Sequence, residues 1–301
     1  MITKKSKILI TGCGGMLGDA VYSVCCKICN VSATDINVNT EWLSYLDVRD
    51  YQAIEKQILE FKPTAVFHLA ALTDLEYCET HPDEAYKTNA FGTENVALLC
   101  KKYNILMVYI STAGVFDGLH DVYNDYAIPN PISHYGKSKY AGTQFVQSCL
   151  DRYFIFRPGW MMGGGPTKDK KFVKKIIDLI NSGKKELLIV NDKLGTPTYT
   201  YDFAKNIIEV INSNLYGLYN MVCNGESSRY EIAEEILKIL KLETKIKLTE
   251  VSSDYFRKEY FAPRPYSERL INLKLNFCGL NKMRDWKVCL REYLSKFKWL
   301  K

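Results

Sequence analysis

Short apolar, β-branched runs alternate along this chain with longer amphipathic stretches. The first run is Lys7-Ile8-Leu9-Ile10-Thr11, followed by a glycine-rich turn and a helical pattern reaching about Cys29. A second run, Val31-Ser32-Ala33-Thr34, ends in Asp35. A helix is expected over 51–61. Residues 63–71 then read as a strand that is apolar almost throughout, as parallel strands covered on both faces are. A further helix, about 85–103, leads into Leu106-Met107-Val108-Tyr109-Ile110. Strand and helix alternating at this spacing predict an α/β fold with a doubly wound parallel sheet of the Rossmann type. Ser228-Arg229-Tyr230-Glu231 has the Ser-x-x-Glu spacing of a capping box and opens another amphipathic helix.

Composition narrows the class without changing the pattern. With 301 residues, 47% of them hydrophobic and 25% charged, the chain reads as a soluble globular protein of one large or two modest domains. The net charge of +6 is not concentrated in one run, which suits a small anionic ligand and leaves no nucleic-acid footprint. No apolar run is long enough to span a bilayer, and the first residues do not form a secretory signal. Ten cysteines include a lone C-x-x-C at Cys26 and Cys29 with no second ligand pair. A reduced, cytoplasmic protein without a bound metal is expected.

The candidate chemistry lies at the ends of the strands. Gly12-Cys13-Gly14-Gly15-Met16-Leu17-Gly18 follows the first strand at once. Glycines there let the backbone turn tightly and approach a pyrophosphate seated on a helix N-terminus; the plainer alternative is a glycine-rich turn. Asp35 stands where an acid meets the adenosine ribose, so NADH is expected over NADPH because a carboxylate repels a 2′-phosphate. As a simple strand-end aspartate it would do neither. Ala70 and Ala71 are small enough for backbone to pass near a cofactor, and His68 reads as a packed strand histidine rather than a catalyst. Tyr135 and Lys139, four residues apart, share one face of a helix preceded by Pro131 and Ser133. A lysine there favours phenolate and would let Tyr135 trade a proton near neutral pH. Without further company the two are an ordinary surface pair. Thr112, delivered to the carboxyl end of the 106–110 strand, completes a group able to bond and protonate a carbonyl oxygen.

These motifs resemble those of the extended short-chain dehydrogenases/reductases, and within them the dTDP-4-dehydrorhamnose reductase family. The resemblance runs through His68-Leu69-Ala70-Ala71-Leu72-Thr73-Asp74 with Cys78-Glu79, Thr88-Asn89-Ala90-Phe91-Gly92-Thr93, and Tyr109-Ile110-Ser111-Thr112 to Val115-Phe116-Asp117-Gly118. It continues through Tyr135-Gly136-Lys137-Ser138-Lys139, Arg157-Pro158-Gly159-Trp160, Gly195-Thr196-Pro197-Thr198 and Ala262-Pro263-Arg264-Pro265, nearly the whole chain. It implies reduction of a 4-keto-6-deoxy sugar nucleotide by NADH or NADPH. Thr112, Tyr135 and Lys139 would be catalytic, and Gly12, Gly15, Met16, Leu17, Gly18, Asp35, Asp47, Val48, Leu69, Ala70 and Ala71 would join Tyr135 and Lys139 in holding the cofactor. Thr73, Asp74, Trp160, Lys193 and Arg264 would bind the substrate, with Lys168 and Lys171 further cations for its diphosphate.

The resemblance also implies a dinucleotide domain of 1–156 plus about 201–224, and a smaller discontinuous α/β domain of 157–200 and 225–301 for the sugar nucleotide. A homodimer is a possible assembly. Rival readings are a sugar-nucleotide epimerase or dehydratase, and a non-catalytic regulatory subunit like that of methionine adenosyltransferase. Where the reductases carry Asp-Tyr and the dehydratases Asp-Glu, this chain has Ala113-Gly114. A roomier, less polar pocket is therefore expected, without the acid–base pair that dehydration needs. Asp74 and Glu76 are the carboxylates conceivable as substitutes. Asp192-Lys193 replaces the reductases' Asp-Gln.

Overall fold

The apolar runs become strands, and every strand of the large sheet is parallel. The structure is a computed structural model and describes residues 2–300. β1 (Lys7–Thr11), β2 (Asn30–Asp35), β3 (Leu43–Tyr45), β4 (Ala65–His68), β5 (Leu106–Ile110) and β6 (Tyr153–Arg157) are joined by an edge strand, Gly217–Asn220. Their order is β3-β2-β1-β4-β5-β6 and then the edge strand. Side chains alternate between two apolar layers. Ile8, Ile10, Phe67 and Val108 pack with helices Met16–Cys25 and Thr200–Asn212 on one face. Leu9, Val66, Met107 and Tyr109 pack with Tyr51–Phe61, Gly92–Lys102 and His134–Cys149 on the other. Because both faces are covered, β4 and β5 are buried at every residue. Each such aliphatic side chain stabilises the fold by about 1.5–3 kcal/mol. The order reverses between β1 and β4, which opens a crevice at their carboxyl ends where ligands of such sheets sit.

Three local features differ from the pattern. The first helix stops at Cys25, short of Cys29, because the amides of Ile28 and Cys29 both turn back to the Cys25 carbonyl. β3 has only three residues, too short to leave a periodic signal. The helix expected over 85–103 is Pro82–Tyr86 and Gly92–Lys102 joined by a π-turn, Lys87–Phe91. That turn brings Asn89 inward, where its side chain bonds both the amide (2.8 Å) and carbonyl (3.0 Å) of Leu72. The loop leaving β4 is thereby fixed.

Beyond β6 lie three small sheets: Trp160–Met162 with Pro197–Tyr199, Glu186–Val190 with Lys247–Val251, and Leu194–Gly195 between Ser227–Ser228 and Ser267–Glu268. Ser228 does begin a helix, Arg229–Leu240, with a reciprocal capping box to Glu231 at 3.1 and 2.7 Å. No helix among the described residues is long and apolar enough to cross a membrane.

Candidate active site

The glycine loop is shaped by close approaches. Gly12 has φ of +71°, and a Cβ there would fall 2.4 Å from the Ala70 backbone, so the exits of β1 and β4 touch. A Cβ on Gly18 would lie 2.3 Å from the Cys13 carbonyl oxygen, which only glycine permits. Gly15 caps the following helix without a side-chain bond, leaving its first amides free for an anion. Asp35 stands beside this loop, its carboxylate accepting from the amides of Gly14 (2.9 Å) and Asn37 (2.8 Å). Leu69, Ala70 and Ala71 are half-buried along the crevice. Asp47 is less available: Arg49 grips both carboxylate oxygens and holds the carboxyl below its ordinary range. Val48 is buried under Gly92, leaving no space for a side chain there.

The second group forms where helix His134–Cys149 docks on the end of β5. Ser133 caps this helix by accepting from the Gly136 amide at 3.1 Å. A Cβ on Gly136 would lie 2.2 Å from the Gly114 carbonyl oxygen, and one on Gly142 would lie 2.8 Å from that of Asn89. Gly136 thus lets the helix sit against the short turn Ala113–Val115, which carries half-buried Tyr135 to Thr112, and Gly142 lets it sit against the Asn89 turn. Ser111 points inward to Thr143 (3.0 Å), so it is Thr112 that faces the site. Lys139 is buried, its ammonium 4.2 Å from the centre of the Tyr109 ring, and among the described residues no carboxylate pairs with it. His68 is a packing residue, held between Thr11 (2.8 Å) and Thr93 (3.0 Å) and pushed down to about 3 by burial.

The electrostatics differ from those that the Tyr135–Lys139 spacing predicts. Burial pushes the Tyr135 phenol up to about 12, opposed by its bond to Thr112. Burial also pushes the Lys139 amine down to about 7. Loss of water disfavours both charged forms more than the pair's proximity favours them. Tyr135 is consequently a stable proton donor at neutral pH rather than a phenolate.

The substrate-side candidates do not gather in one place. Arg264 forms an ion pair with Glu76 at 2.7 Å, and the Lys193 ammonium donates to the Arg264 carbonyl at 3.2 Å. Thr73 is exposed, and Asp74 caps helix Leu75–Thr80 by accepting from the Tyr77 amide at 2.9 Å. Exposed Lys171 feels the charge of Asp74. Lys168 lies elsewhere, bonded to Asp19 at 2.7 Å on the first helix and stacked on Trp42. The Trp160 indole lies on Gly195, where a Cβ would be 2.4 Å away, and carries the Arg229 guanidinium 3.6 Å above its ring. Its N–H donates to Glu268 at 2.7 Å. The pocket beside Gly114 is bordered by a carboxylate, since Glu268 reaches it from across the chain. Glu268, Arg229 and Asn89 carry no separate sequence signal of a role; only the Asn89 stretch stood among the resembling motifs.

Residues 6–299 match the family model described as the RmlD substrate binding domain. The spore coat polysaccharide biosynthesis protein SpsK of Bacillus subtilis is 30% identical, over 97% of this chain and 98% of its own. Methionine adenosyltransferase 2 subunit beta of Xenopus tropicalis is 25% identical over 97% and 88%. Among solved structures, a dTDP-4-dehydrorhamnose reductase of Yersinia enterocolitica is 36% identical and superposes with a TM-score of 0.87, covering 98% of this chain and 100% of its own. One of Bacillus anthracis, in complex with NADP, is 30% identical with a TM-score of 0.89, covering 97% and 100%. Matched from end to end in sequence and in fold, the chain belongs to the RmlD substrate binding domain family.

Proposed function

We propose that this protein reduces a 4-keto-6-deoxy sugar nucleotide with a nicotinamide cofactor, in the assembly of deoxysugars for surface polysaccharide. One observation carries the reading: a hydroxyl (Thr112), a protonated phenol (Tyr135) and a buried amine (Lys139) gather at the carboxyl end of β5, in the same crevice as the glycine loop. The fit of the cofactor rests on that loop and on Lys139, a buried amine with no carboxylate partner among the described residues. Bound there, the nicotinamide supplies the hydride. Thr112 and Tyr135 bind the ketone oxygen, and Tyr135 gives it a proton as negative charge develops. Lys139 donates to ribose hydroxyls and supports the phenol as it loses its proton. Residues 1–156 with about 201–224 would hold the cofactor, and 157–200 with 225–301 the sugar nucleotide, where Arg264 and Lys193 stand together. The dehydratase reading lacks its acid–base pair, since Ala113 and Gly114 stand at those positions and neither can transfer a proton. The test is NADH oxidation against a panel of 4-keto sugar nucleotides generated in situ by a dehydratase. Turnover with a 4-keto-6-deoxy substrate is expected, and none across the panel would overturn the reading.

NADH is proposed as the preferred cofactor because Asp35 already holds the Gly14 amide beside the ribose position. A 2′-phosphate would meet that carboxylate directly. Asp35→Ala is expected to lower the NADH-to-NADPH ratio of kcat/KM by on the order of 10-fold. A wild-type preference for NADPH would mean that Asp35 keeps to the loop and does not face the ribose.

A further inference from the structure

The space emptied at Gly114 is shared by a carboxylate. A Cβ placed on Gly114 would be 3.4 Å from Thr112 Oγ1, 3.6 Å from Tyr135 Cε1 and 3.7 Å from Glu268 Oε1. Glu268 therefore borders the same small volume as the two groups that bind the ketone oxygen, and its charge acts on Tyr135. Its position is built. Strand Ser267–Glu268 pairs with Leu194–Gly195, placing Glu268 opposite Gly195. The indole of Trp160 covers Gly195 and donates to Glu268 Oε2 at 2.7 Å. Arg229 stacks on that indole, 3.6 Å from its ring centre, and its charge interacts with that of Glu268. Oε1 has no hydrogen-bond partner among the described residues.

We infer that Glu268 determines specificity by accepting a hydrogen bond, through Oε1, from a hydroxyl on a carbon next to the ketone. The inference rests on the reductase reading and names the substrate feature it selects. An ionised carboxylate only accepts hydrogen bonds, so it recognises a donor. The nearby Arg229 guanidinium already balances its charge, which favours a neutral hydroxyl over an ammonium. Sugar nucleotides deoxygenated at that carbon would leave Oε1 facing the site unpaired, and a charged acceptor without its donor is costly.

The test compares a dTDP-4-keto-6-deoxyhexose carrying a 3-hydroxyl with its 3-deoxy analogue, using wild type, Glu268→Ala and Glu268→Gln. Wild type is expected to favour the hydroxylated substrate in kcat/KM by about 10- to 100-fold. Glu268→Ala should bring that ratio toward one, the hydroxylated compound losing its acceptor and the deoxy compound no longer leaving Oε1 unpaired. Glu268→Gln, which keeps an acceptor for Trp160, should lie between. Equal loss on both substrates, or an unchanged ratio, would overturn the inference. Calorimetric binding of the matching 4-hydroxy nucleotides, with and without the 3-hydroxyl, gives a readout that needs no reduction. If no ketone is reduced but that binding ratio collapses in Glu268→Ala, the reductase reading fails and the role of Glu268 stands. If no sugar nucleotide binds, both fall.

Discussion

Replacing Tyr135 by phenylalanine is expected to lower kcat by on the order of 10²-fold or more while leaving NADH affinity close to wild type. The substitution removes one oxygen. It keeps the ring that packs beside Thr112 and leaves Gly136, which seats the helix on Gly114. Residual turnover would come from Thr112 and bound water, poorer donors at that position. The loss should appear in kcat more than in KM, because proton transfer matters as the alkoxide forms and less in the bound ketone. Steady-state kinetics with a reducible 4-keto substrate, alongside NADH titration by fluorescence, separates the two. Near wild-type kcat would remove Tyr135 from the mechanism.

The second large effect is expected at Gly12, where alanine should destabilise the protein by about 3 kcal/mol or more and abolish tight cofactor binding. Two costs combine: a positive φ that alanine resists, and a Cβ 2.4 Å from the Ala70 backbone, which cannot rotate away. Either β1 or β4 must shift at its carboxyl end, and both line the crevice. Thermal unfolding and NADH titration of Gly12→Ala are the measurements. An unchanged melting point would mean that the two strand exits are not in contact.

What the sequence made readable is what is local. The glycine loop, Asp35, Thr112 and the Tyr135–Lys139 pair each lie at the end of one strand or on one turn of helix, and periodicity places them. Nothing local marks contacts between distant segments. Trp160 meets Glu268 over 108 residues, Lys168 meets Asp19 over 149, and Arg264 meets Glu76 over 188. Hence Ala113-Gly114 read as a roomier, less polar pocket, with no sign that Glu268 stands at its border. The sign of the Tyr135 shift escaped for a related reason. Spacing states which groups are neighbours, whereas their ionisation depends on how much water the assembled fold excludes. The π-turn at Lys87–Phe91 is a third case, since a helical pattern does not register one inserted residue.

The buried Lys139 amine makes loading of the cofactor a proton-linked event. In the free protein burial pushes it down to about 7, far below the 10.5 of an exposed lysine. Ribose hydroxyls accepting from the ammonium would favour the charged form and draw that value back upward. Between those two limits the bound state then holds more protons than the free state, so binding takes up protons and the apparent affinity weakens as pH rises. Below about 7 the amine is already protonated and the dependence should flatten. Calorimetric titration with NADH at pH 8, in two buffers of different ionisation enthalpy, should therefore give two different apparent heats. Their difference counts the protons captured, and identical heats would place the amine outside the binding equilibrium.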